Sequence, residues 1–103
     1  MDWWFDGRHI KGLTLRYLLA LHLSDVARPC STRQLVEAVH DAGFELAGRP
    51  SKTVSDGLRW EVRRGRVTRR DRGLYAAGTI APETKRRMRR RIAELRAQVV
   101  ARM

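Results

Sequence analysis

Residues 49–78, RPSKTVSDGLRWEVRRGRVTRRDRGLYAAG, constrain the fold more than any other part of this chain. A helix-length run stops at Gly65, and two short strand-like runs, residues 66–70 and 74–77, flank Asp71-Arg72-Gly73. Glycine in a short link between such runs is a hairpin signal. Nine Lys/Arg stand here against three Asp/Glu. The stretch therefore predicts one helix, a glycine stop and a short antiparallel hairpin with a basic tip.

Placed at 100° per residue, Val54, Leu58, Glu61 and Val62 share the inner side of that helix, predicted over residues 51–64 with Ser51 as its cap. Lys52, Thr53, Asp56, Arg59, Trp60 and Arg63 fall on the outer side. Cations, hydrogen-bonding groups and an aromatic are what a helix in a DNA major groove uses. A merely solvated helix face is the alternative. Gly57 in mid-helix costs about 1 kcal/mol against alanine, which a close approach by another helix or a phosphate backbone would rationalise. Arg64 and Arg66 extend the basic surface into the hairpin. Val67 and Tyr75 are its core-facing positions, while Arg69, Arg70 and Arg72 crowd the tip, placed to hold a phosphate backbone or enter a minor groove.

Upstream, residues 13–23 (LTLRYLLALHL) repeat leucine at helical spacing and predict an amphipathic or nearly buried helix, with His22 at its edge. Arg28-Pro29-Cys30 reads as extended, because proline disfavours helix in the residue before it. Ser31 and Gln34 fit a capping box that opens a second helix burying Leu35, Val36 and Val39 and closed by Gly43. His40 near that helix's end suits the dipole. Phe44 and Leu46 then cover the core within a connection longer than a tight helix-turn-helix link. Before all of this stand Trp3, Trp4 and Phe5 between Asp2 and Asp6. So much apolar surface should dock on the domain or on a second subunit; stacking on bases is a third option.

Helix, extended piece, helix, helix, basic hairpin is the order of an α+β winged helix-turn-helix: three helices plus a small antiparallel β-wing. The match of the small polar start Ser31-Thr32, the long link ending in Pro50-Ser51, Val54 with Leu58, and Gly73-Leu74-Tyr75 makes residues 13–78 resemble the HARE-HTH group of winged helices. That resemblance implies DNA binding, since members are modules of larger chromatin or restriction proteins in which they are inferred to bind DNA.

A C-terminal helix is added. Pro82 suits its first turn, and Met88, Ile92, Leu95 and Val99 make a narrow stripe spaced 4, 3, 4. The stripe predicts either a symmetric dimer or a helix folded back on its own domain, with the homodimer favoured; a membrane-surface helix is the remaining reading. Lys85, Arg86, Arg87, Arg89, Arg90 and Arg91 crowd the other faces and would repel one another without a polyanion. The organisation expected is an aromatic arm over residues 1–12, a winged-helix domain over 13–80 and a basic helix over 81–103.

Charge sharpens the functional expectation. The 103 residues carry a formal net +11, distributed as −1 over residues 1–48, +6 over 49–73, none over 74–82 and +6 over 83–103. Nineteen of the 22 cations are arginine, which GC-rich coding could produce; such coding does not confine the excess to one half of a chain. A polyanionic partner follows.

Other classes are disfavoured. No apolar run nears the roughly 18 residues of a membrane span. The N-terminal MDWWFDG has no basic leader region, and the lone Cys30 fits a reducing compartment, so a cytoplasmic, nucleoid-associated location is expected. His9, His22 and His40 with one cysteine lack metal-ligand spacing, and no cofactor motif is present. Asp56 and Glu61 diverge by about 140° on their helix and cannot act as an acid/base pair. The expectation is a non-enzymatic double-stranded DNA binder, a small transcriptional regulator or nucleoid protein. Its contacts would be Lys52, Thr53, Asp56, Arg59, Trp60, Arg63, Arg64, Arg66, Arg69, Arg70, Arg72 and the Arg86–Arg91 run. A protein-interaction winged helix or an RNA-binding module is the alternative.

Overall fold

In the computed structural model, which describes residues 9–102, everything is arranged around the first helix, α1 (Gly12–Val26). Its buried residues Leu15, Tyr17, Leu19, Ala20, Leu21 and Leu23 cover about 240° of the axis at 100° per residue, and the partly buried Leu18 falls in the remaining gap. A helix that is apolar on all sides must be covered on all sides. It runs one turn beyond the point where the apolar pattern stops. Ala27 ends it in the left-handed region, φ 53°, with its N–H on the Leu23 carbonyl at 3.1 Å. The aromatic triplet of residues 3–5 lies outside the described residues.

A two-residue strand, β1 (Cys30–Ser31), leads directly into α2 (Thr32–Asp41). The capping box forms as expected: Ser31 Oγ accepts from the Gln34 N–H at 3.1 Å, and Gln34 Oε1 accepts from the Ser31 N–H at 2.8 Å. Leu35 and Val39 are fully buried, and Val36 packs partly against the core. Gly43, φ 91°, turns the chain, and Phe44 and Leu46 enter the core from the connection. There the Ile10 N–H donates to the Glu45 carbonyl at 2.9 Å, fastening the chain ahead of α1 to this loop.

Helix α3 (Pro50–Arg63) starts earlier than expected, and Ser51 does not cap it. Pro50 takes the first helical position, where its missing N–H is no loss, so the cap falls on Arg49, which makes no side-chain cap bond. After Gly65, φ 75°, come β2 (Val67–Asp71) and β3 (Leu74–Ala77). The antiparallel sheet runs β1-β3-β2, with Cys30 opposite Tyr75 and Val67 opposite Ala77. A bulge between Arg69 and Asp71 leaves Arg70 as the extra residue. At the hairpin's stem, Gly78 and Thr79 donate to the carbonyls of Arg66 and Gly65, both at 2.9 Å, which folds the outgoing chain onto the end of α3.

The last helix, α4 (Pro82–Arg102), corrects the favoured dimer expectation. Met88, Ile92 and Val99 are buried, and Leu95 partly so, within the core that α1 also fills. The stripe is covered in its own chain because α1 still has an uncovered apolar side after α3 has packed on it. The architecture of the described residues is therefore α+β: four helices and a three-stranded antiparallel sheet. Among the described residues, no helix is long and apolar enough to cross a membrane.

Candidate nucleic-acid interface

The inner face of α3 seats Val54, Leu58 and Glu61 against the core. Glu61 is a carboxylate with no exposed surface, which is tolerable only if it is fully paired. It is: Arg16 Nε donates to Oε2 at 3.2 Å, while Arg66 donates from Nε to Oε1 at 2.8 Å and from its terminal nitrogen to Oε2 at 3.0 Å. These hydrogen bonds from Arg66 to Glu61 hold the Arg66 guanidinium above its ordinary pKa, against the opposing effect of burial. One carboxylate thus joins α1, α3 and the root of the hairpin.

That network redistributes the predicted contacts. The Arg66 side chain is only 14% exposed and committed to Glu61, so it is a structural residue rather than a surface contact. Thr53, expected on the outer face, is half-buried and donates its hydroxyl to the carbonyls of Ala47 at 2.9 Å and Arg49 at 3.1 Å. Lys52 donates to Asp56 at 2.9 Å, and Arg59 lies 4.0 Å from the same carboxylate. The hydrogen bond from Lys52, chiefly, holds the Asp56 carboxyl below its usual range. The start of the outer face is therefore largely charge-balanced, and the excess sits toward the helix's C-terminal end.

Trp60 is 50% exposed. The guanidiniums of Arg16 and Arg63 lie 5.6 and 5.4 Å from its ring centroid, within cation–π range. Arg16 was not among the expected surface residues. The signal was present, though: a lone cation within an apolar helix and a lone carboxylate on the inner face of another are expected to meet.

Between α3 and the hairpin lies a groove of about 490 Å³. Arg59 and Arg63 line it from the helix and Arg69 and Arg72 from the hairpin, over a floor that includes Val62 and Tyr75. Among the described residues, no carboxylate lines it. Arg69, before the bulge, and Arg72, in the turn, line the groove, whereas the bulged residue Arg70 does not. Arg64 and Arg70 are exposed outside the lining.

The basic run of α4 is likewise divided. Arg89 forks onto Asp25 at 2.8 and 3.3 Å, and Arg91 Nε donates to Thr14 Oγ1 at 3.2 Å, both tying α4 to α1. The Arg89 hydrogen bond holds the Asp25 carboxyl below its ordinary range. Arg86, Arg87 and Arg90 are left exposed. Among the described residues, no group of three or more His, Cys, Asp or Glu is arranged to hold a metal, and Cys30 is buried beside its strand partner Tyr75. Comparison with known proteins returned no match: no family model, no curated protein and no solved structure matches this chain.

Proposed function

We propose that this chain is a winged helix-turn-helix that binds double-stranded DNA, with α3 in the major groove and the hairpin as a wing on the adjacent phosphate backbone. The order of helices and strands and the resemblance of residues 13–78 to the HARE-HTH group support the fold assignment. One observation carries the functional reading: four arginines from two elements line a single groove in which, among the described residues, no carboxylate stands. Such a groove concentrates positive potential and matches a phosphate chain. Arg63 and Trp60 stand where base edges would come, Lys52 and Asp56 form the helix's leading edge, and Arg64 and Arg70 flank the groove. The location that fits is the cytoplasm, on the nucleoid, as a regulator or an architectural protein.

Arg59, Arg63, Arg64, Arg69, Arg70 and Arg72 together would neutralise about six phosphates, which sets the slope of log K against log salt near −5. A mobility-shift titration on a mixed-sequence duplex reads this directly, and a slope near zero overturns the proposal. Arg63→Ala should alter sequence preference, whereas Arg70→Ala should weaken all duplexes about equally.

A second reading, a protein-interaction module, draws on the half-exposed Trp60 in the last turn of α3. Aromatic residues so placed are frequent anchors of protein interfaces. Purification at low salt separates the two: co-purifying nucleic acid favours the first, and its absence favours the second.

A further inference from the structure

The two basic halves of this chain rest on different sides of one helix. Helix α3 meets α1 at Leu15, Arg16 and Leu19, whose side-chain atoms lie 3.5–4.0 Å from the position a Cβ on Gly57 would take. Helix α4 meets α1 at Thr14 and Asp25, through Arg91 and Arg89, and Leu18 and His22 are among the α1 residues that line the cleft where α1, α2 and α4 meet. At 100° per residue these two faces of α1 diverge by about 120°. The exposed cations of each packed helix point away from α1. Arg59 and Arg63 lie opposite the buried face of α3, and Arg86 and Arg90 lie roughly opposite the Met88–Ile92 stripe of α4, at 100° per residue.

A straight duplex seated in the α3–hairpin groove therefore leaves Arg86, Arg87 and Arg90 facing another direction. DNA is stiff over about 150 base pairs, so one short duplex does not follow that turn around a molecule of this size. The second half's net charge of +6 equals that of the first and needs its own counter-charge. Arg89 and Arg91 are spent on holding α4 in place, which fixes the three remaining guanidiniums on a rigid, exposed turn.

We propose that Arg86, Arg87 and Arg90 form a second, sequence-independent site for a DNA phosphate backbone, so that one chain bridges two duplexes. The proposal rests on the reading of the α3–hairpin groove as a duplex site, and the experiment keeps the two apart.

Truncation before α4 would uncover the core, so the test uses substitution. A duplex fixed on beads is mixed with a labelled duplex of unrelated sequence and the full-length protein, and capture of the label is measured. In parallel, mobility shifts give affinity and salt slope for one duplex. Wild type captures the label. The triple variant Arg86→Gln/Arg87→Gln/Arg90→Gln, with a thermal melt matching wild type, loses at least about tenfold in capture while keeping its single-duplex salt slope, because the groove's phosphate contacts are untouched.

Three results overturn the proposal. Wild type binding one duplex without capturing the second removes the bridge. Capture that persists in the triple variant assigns bridging to self-association. A single-duplex slope that shrinks by about 3 in the triple variant puts α4 on the same duplex. Failure of wild type to bind even one duplex instead overturns the groove reading on which the proposal rests.

Discussion

Glu61 decides more of this structure than any other side chain. It is a fully buried carboxylate between two arginines whose side chains are themselves only 17% and 14% exposed. Glu61→Gln keeps the shape and removes the charge, leaving two half-buried cations without a counter-ion. Breaking a buried ion network in this way costs on the order of 3 kcal/mol, and a urea titration should record a loss of that size. Two glycines should respond to alanine in opposite directions. A Cβ at Gly57 meets Arg16 Cγ at 3.5 Å and Leu19 Cδ1 at 3.6 Å, both ordinary contacts. Gly57→Ala should therefore raise stability by up to about 1 kcal/mol through helix propensity. A Cβ at Gly78 would run into the Gly65 carbonyl and the Arg66 backbone, neither of which can swing aside. Gly78→Ala should lower stability by about 2 kcal/mol, in the range of an overpacked core. Thermal melts of the two variants settle both signs.

At the level of elements, what the sequence disclosed was what local chemistry dictates. The capping box of α2, the glycine stops and the hairpin each depend on residues within a few positions, and each appears as expected. Ser51 misled because proline at the first helical position displaced the cap by two residues. The α4 stripe misled for a different reason: an amphipathic pattern states that a face is covered, never by what. The answer lay in α1, whose apolar residues surround its axis and outnumber what α2 and α3 can hide. Among the site residues, the outer face of α3 was legible from angular position alone. The inward turn of Thr53 and Arg66 and the arrival of Arg16 were not, since they depend on partners distant in sequence. The tether of α4 is open to a pH test. Asp25, half-exposed and bonded by Arg89, has a folded pKa below its unfolded value. Its stabilisation is present above the ordinary aspartate pKa of about 4 and lost as pH falls through the lower folded value. Solvent screening keeps it under about 1 kcal/mol. Asp25→Asn should therefore be slightly less stable than wild type at pH 7, and the gap in urea midpoints should close as pH falls below the ordinary aspartate range.

For the whole molecule, a net +11 on 103 residues means that folding gathers like charge. Self-repulsion of this kind destabilises the compact state and is screened over about 10 Å at 0.1 M salt. The free protein's melting temperature should rise between about 20 and 200 mM salt, while duplex affinity falls over the same range. A free protein that instead melted earlier at higher salt would mean its ion pairs outweigh its repulsion. The Glu61 network has a last consequence, concerning heat. The cost of withdrawing charges from water declines as temperature rises, whereas the gain from burying apolar surface levels off. Warming should thus weaken the packing around α1 sooner than it weakens the joint between helix end and hairpin. The angle at which those two elements stand, and with it the width of the groove they enclose, is set by the part of the molecule best suited to keep its geometry in the heat.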